Sequence, residues 1–202
     1  MIDKNNLLQN LGSREPVALD IGCGPLKKDP SWIGIDRLDH AGVDLVGDVF
    51  EVLAAFPENS VDTIHASHFF EHLPDLEKLV DATGRVLKPG GRMTVITPHF
   101  SNPYFYSDYT HRTFFGLYTF SYLADEKLFK RKVPDYGGQR EFDLARVDLR
   151  FQSPFRIRRW LYQVGGSFFN LSYYLQELYE ECFSRVFYCY EIEYTLVKKT
   201  SA

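Results

Sequence analysis

Ala18-Leu19-Asp20-Ile21-Gly22-Cys23-Gly24-Pro25 reads as a buried strand that runs directly into a glycine turn. Val17, Ala18, Leu19 and Ile21 form a short apolar run closed by glycines, the pattern of a parallel strand covered on both faces. Gly22 and Gly24 let the backbone turn tightly and approach a ligand with no Cβ in the way, at the strand end where open α/β sheets bind ligands. A dinucleotide site adds a third glycine and a helix whose N-terminus meets the pyrophosphate. Here Pro25-Leu26-Lys27-Lys28-Asp29-Pro30-Ser31 is too short and too marked by proline to hold a crossover helix before Trp32-Ile33-Gly34-Ile35-Asp36 begins. The expected ligand therefore lacks a pyrophosphate, and a nicotinamide or nucleotide enzyme is disfavoured by the missing glycine.

Asp20 before the first glycine and Asp36 at the end of the second strand complete a pattern that resembles class I S-adenosylmethionine-dependent methyltransferases. In that family an acidic residue at the Asp36 position accepts hydrogen bonds from both ribose hydroxyls. The resemblance continues in family order. Asp44-Leu45-Val46-Gly47-Asp48-Val49 looks like the third strand, with Gly47 and Asp48 at the adenine position. Phe56 to Ile64 leads into the fourth strand, and Ser67-His68-Phe69-Phe70-Glu71-His72-Leu73 follows at its end, near the place of the reactive methyl. Leu79 to Leu87 has helical spacing, and Lys88-Pro89-Gly90-Gly91 is a stop and turn before a fifth strand ending at Pro98. The resemblance implies S-adenosyl-L-methionine as cofactor, held by Asp20, Gly22, Cys23, Gly24, Asp36, Arg37, Gly47, Asp48, Val49, Ser67 and His68. It also implies a Rossmann-like three-layer α/β/α sandwich, with a mostly parallel seven-stranded sheet and an antiparallel last strand.

The chain has 202 residues, 45% of them apolar, enough for one well-buried core, so residues 1–202 read as a single domain. Neither a signal peptide nor a membrane-spanning run is legible, which points to the cytoplasm. Cys23, Cys182 and Cys189 have no metal spacing and are odd in number, so free thiols are expected. Net charge is −4, against general nucleic-acid binding. It is unevenly spread: residues 1–100 hold 9 Lys and Arg against 15 Asp and Glu, whereas residues 127–159 hold ten basic against four acidic. That stripe suits an anionic acceptor or is an ordinary solvated face.

The second half is where acceptor specificity is expected. Ten aromatic residues lie between Phe100 and Tyr122, in a segment near 99–125 that leaves the fifth strand on the cofactor's sheet edge. They are expected to wall the acceptor site, with Phe114, Leu117, Tyr118 and Leu123 packing into the core from a following helix. Val147, Leu149 and Phe151, then Ile192, Tyr194 and Leu196, alternate as two final strands. A helical insertion near 154–189 separates them. Leu171, Tyr174, Leu175, Leu178, Cys182 and Val186 have helical spacing and suggest core packing or a homodimer contact. Phe155 to Tyr162, carrying Arg156, Arg158 and Arg159, is the candidate for a lipid headgroup or polyanion and for peripheral membrane contact.

Methyl transfer from a sulfonium requires mostly positioning, and a hydroxyl or amine acceptor also requires loss of a proton. His99, His111 and His68 are the candidate bases, with His72 and Asp108 behind them. Ala66-Ser67-His68-Phe69 is not the Asn/Asp-Pro-Pro-aromatic motif of nucleobase amino methyltransferases, and no Pro-Cys pair for cytosine C5 chemistry exists. No metal is expected, because His68 and His72 with Glu71 between them lack the His-Glu-x-x-His order and a third ligand. The reading is a methyltransferase acting on oxygen or nitrogen of a small-molecule, glycan or lipid-linked acceptor. The alternative is a non-catalytic S-adenosylmethionine-binding sensor or partner subunit.

Overall fold

The computed structural model describes residues 1–138 and 140–200. Eight strands form one sheet in the order β1-β4-β3-β2-β5-β6-β8-β7. The elements are β1 (Ile2–Asp3), β2 (Ala18–Ile21), β3 (Ile33–Asp36), β4 (Leu45–Val46), α1 (Val49–Ala55), β5 (Val61–Ser67), α2 (Leu76–Val86), β6 (Leu87–Pro98), β7 (Phe142–Arg150), α3 (Arg156–Phe169), α4 (Tyr173–Leu178) and β8 (Glu191–Lys198). Strands β4, β3, β2, β5 and β6 are parallel, and β8 runs antiparallel between β6 and β7. Seven of these are the strands the sequence implied. The eighth is the N-terminal β1, which pairs antiparallel with β4.

Register sorts the side chains. Leu19 and Ile21 stand level with Ile33 and Ile35 on one neighbour and with Ile64 and Ala66 on the other. Met93, Val95, Tyr194 and Leu196 continue the same row across β6 and β8. All of these are at most 1% exposed, and Val52 and Leu53 of α1 and Leu79 of α2 join the same core cluster. Asp75 and Asp48 start the two helices by accepting from Lys78 N and Phe50 N. Between β2 and β3 there is no helix, only the turn-rich loop that the prolines dictate.

The aromatic segment forms no α-helix; it is a loop with two 3-10 turns. Phe115, Leu117 and Phe120 are fully buried, with Phe120 edge-on to Tyr194. Phe114, expected inside, is 57% exposed, because without helical spacing its neighbour Phe115 takes the inward position.

The insertion is two helices joined to a π-helical turn at Tyr179–Phe183. The buried positions of the insertion after α3 are Gln176, Tyr179, Ser184 and Cys189 rather than Leu171, Tyr174 and Val186, which are exposed. Gln176 accounts for part of the difference, since its Nε2 donates to the Val147 carbonyl on the edge strand. The i to i+5 turn shifts the inward face once more.

Candidate active site at the carboxyl edge of the sheet

The strand order reverses direction between β2 and β5, and the carboxyl ends of β2, β3, β4 and β5 meet at one edge, the usual ligand position in open α/β sheets. A cavity of about 560 Å³ opens there, within the range of small-molecule sites. Its lining brings together Gly22, Asp36, Arg37, Gly47, Asp48, Val49 and His68 of the predicted set.

Local hydrogen bonds hold these groups. Gly22 N donates to the Ile35 carbonyl at 2.8 Å with φ +68°, a conformation suited to glycine. A side chain at Gly22 would also run into the Phe69 ring packed over it. The Asp36 carboxylate accepts from Gly24 N at 2.9 Å and from Leu38 N at 2.8 Å. Two backbone donors thus fix its orientation while each oxygen keeps a free lone pair. Gly47 N donates to the Asp36 carbonyl, linking the third-strand turn to the second. Asp48 caps α1 at the cavity wall.

Asp20, Cys23, Gly24 and Ser67 do not line the cavity. Asp20 is buried; its carboxylate accepts from Lys28 N at 2.6 Å and pairs with His65 Nδ1 at 2.8 Å. Its place is to tie down the helix-less loop. Burial, then the charges of Asp20 and Asp36, push the Cys23 thiol up to about 12, so it is not a thiolate near neutral pH.

The three candidate bases separate. His99 is fully buried, with Nδ1 2.7 Å from Ser101 Oγ and its ring against Phe100 and Tyr179; an acceptor cannot reach it. His68 borders the cavity in a left-handed backbone conformation, φ +54°, uncommon for a residue with a side chain. Its Nε2 lies 3.0 Å from Glu191 and its Nδ1 3.4 Å from Glu71. The Glu191 hydrogen bond, reinforced by Glu71, pushes its pKa up to about 9, so at neutral pH it is a cation rather than a base. The His111 ring packs at a tilt against His72, centroids 4.9 Å apart, and His72 lines the cavity.

Phe69, Leu73, Thr110 and Arg112, which the sequence reading did not single out, also line the cavity, together with the secondary candidate His72. Thr110 and Arg112 belong to the polar island Asp108–Arg112 inside the aromatic run, and that interruption was the available signal. None of the ten aromatic rings between Phe100 and Tyr122 lines the cavity. Phe105, Phe115 and Phe120 are buried in the core, whereas Tyr104, Tyr106, Tyr109 and Phe114 are exposed. Four of the ten basic residues of the stripe are paired: Lys132 with Glu126, Arg140 with Asp125 and Asp135, Arg146 with Asp148, and Arg150 with Glu191 and Glu193.

Asp48→Ala is expected to remove the α1 cap at a cost of about 1 kcal/mol. Cofactor affinity should fall less than on loss of Asp36, because the backbone at Gly47 survives. Calorimetric titration of the variant checks both the order and the size.

Comparison with known proteins places this geometry. A family model described as "Methyltransferase domain" matches residues 4–165. The ubiquinone/menaquinone biosynthesis C-methyltransferase of Cronobacter sakazakii is 37% identical over 98 residues, 46% of this chain and 36% of that protein. The chain spans about a third of the length of the curated relatives it matches. Among solved structures, a SAM-dependent methyltransferase from Archaeoglobus fulgidus superposes with TM-score 0.55 at 19% identity, covering 96% of this chain and 92% of that one. A Haemonchus contortus phosphoethanolamine N-methyltransferase 2, solved with phosphomonomethylethanolamine and S-adenosylhomocysteine, gives TM-score 0.53 at 16% identity, with 96% and 52% coverage. At these identities the two structures share the fold.

Proposed function

This chain belongs to the S-adenosylmethionine-dependent methyltransferases, and we propose that it methylates an oxygen or nitrogen of an amphipathic, lipid-linked acceptor that carries an anionic group. The observation that carries the reading is the cavity of about 560 Å³ at the carboxyl edge, whose lining includes Gly22 and Asp36 together with His72, Thr110 and Arg112. The residues fit the cofactor: Asp36 keeps acceptor lone pairs for the ribose hydroxyls, Gly22 exposes its backbone, and Gly47 with Asp48 and Val49 form the adenine side. When bound, the cofactor supplies an electrophilic methyl group on a sulfonium. The protein's share is orientation and exclusion of water. Phe69 and Leu73 give the cavity apolar lining, and Arg112, which also lines it, would hold an acceptor carboxylate or phosphate through its planar fork. A hydroxyl acceptor must also lose its proton, and besides His68 the imidazole that lines the cavity is His72.

The lipid-linked character rests on α3. Ile157, Trp160, Leu161, Val164 and Phe168 form one stripe of the helix, each more than half exposed, while Tyr162, Gly166 and Phe169 form the opposite, buried stripe. No acidic residue occurs from 152 to 176, and Arg156, Arg158 and Arg159 start the helix. Apolar and basic together, this face suits an anionic bilayer surface. No helix among the described residues is long and apolar enough to cross a membrane, so contact would be peripheral.

Methylation of a ring carbon is a second reading, favoured by the likeness to the Cronobacter C-methyltransferase. One experiment addresses both. Protein incubated with methyl-labelled cofactor and cell extract split into organic and aqueous fractions should place label in the organic fraction, and magnetic resonance of the product distinguishes O-, N- and C-methyl. Label in neither fraction, with cofactor binding intact, would mean a non-catalytic binding protein.

A further inference from the structure

We propose that Glu71, His72 and His111 form a binding site for a first-row divalent transition cation beside the cavity. Glu71 sits in the 3-10 turn that follows β5; its side chain is fully buried, and neither carboxylate oxygen has a hydrogen-bond partner. A buried carboxylate without a partner is costly and calls for a positive charge. The nearest cation, the His68 imidazolium, stands with Nδ1 3.4 Å from Oε1 without forming a hydrogen bond, and Oε2 is left with no partner.

The two imidazoles are set for ligation by their outer hydrogen bonds. Thr110 Oγ1 donates its one proton to Asp108 Oδ1 at 2.6 Å, so its 2.9 Å contact with His72 Nδ1 requires the proton on that nitrogen. His72 Nε2 is left with the lone pair. His111 Nδ1 is 2.9 Å from the Phe105 carbonyl, which only accepts, so Nδ1 is again the protonated atom and Nε2 is free to ligate. A second ring hydrogen bond that fixes tautomer and orientation is the usual companion of metal-binding histidine. One ligand atom from each of the three residues lies within 4.8 Å of the other two. Asp108 Oδ2, 3.6 Å from His111 Nε2, is a further oxygen at the rim.

Two neutral nitrogens and one carboxylate match zinc, manganese or iron rather than magnesium or calcium, which prefer oxygen alone, and leave coordination positions open. Because His72 and Thr110 also line the cavity, an open position would face the acceptor and lower the pKa of its hydroxyl. That last step rests on the methyl-transfer reading; the binding of metal does not.

The test is titration of the full chain, stripped with a chelator and dialysed, with Zn²⁺ and with Mn²⁺, followed by calorimetry and thermal unfolding. One equivalent per chain is expected, with affinity reduced about tenfold to a hundredfold in Thr110→Val and more in Glu71→Gln and His111→Asn. Cofactor binding measured on the same variants reports whether they are folded. Saturable binding that survives in folded Glu71→Gln and His111→Asn, or no binding at all, overturns the site. Metal binding by a wild type that ignores S-adenosylmethionine would uphold the site and overturn the methyltransferase reading instead.

Discussion

Asp36→Ala is expected to weaken S-adenosylmethionine binding about tenfold or more, through loss of charge-assisted hydrogen bonds to the ribose. The effect has two parts. The carboxylate would supply the acceptor lone pairs, and it also holds Gly24 N and Leu38 N, in the turns that follow β2 and β3. Asp36→Asn separates them, since its one carbonyl oxygen can serve the ribose or the loop but carries no charge. Calorimetry should therefore rank wild type above Asn and Asn above Ala. An unchanged dissociation constant in the alanine variant would remove the ribose assignment.

Replacing Ile157, Trp160 and Leu161 of α3 together by serine is expected to reduce binding to vesicles of anionic phospholipid by about tenfold or more. A fully buried apolar side chain of this size contributes about 1.5–3 kcal/mol, so three partly inserted ones exceed a factor of ten. All three side chains are over half exposed and touch little of the core, so folding should be unaffected. Neutral vesicles and high salt should weaken wild-type binding as well, because Arg156 and Arg158 act through screened surface charge. A wild type that ignores anionic vesicles, and a dimer that becomes a monomer in the triple variant, would assign this face to a second copy of the chain.

Legibility followed the range of the interactions. The turn at Gly22, the Asp36 carboxylate and the alternation of β7 and β8 are local patterns, and they stand where the residues placed them. β1 escaped notice because two residues carry no periodicity. The inward face after α3 was misread because a π-helical turn and a buried glutamine break the 3.6-residue rule on which the reading relied. Asp20 and Cys23 were assigned by motif position, yet Asp20 is consumed by the loop it anchors. Glu71, His72 and His111 were each named from the sequence, but their convergence was not legible. The third member comes from forty residues downstream, and the Phe105 carbonyl that sets its tautomer is visible only in three dimensions.

The most direct measurement is thermal unfolding of the wild type with S-adenosylmethionine, S-adenosylhomocysteine and a nicotinamide dinucleotide in turn. Ligand at a hundred times its dissociation constant stabilises by about 2.7 kcal/mol, enough to move a melting curve clearly. The two sulfur ligands should raise the midpoint and the dinucleotide should leave it in place. A shift with the dinucleotide alone, or with none of the three, would contradict the assignment of the carboxyl-edge cavity to S-adenosylmethionine.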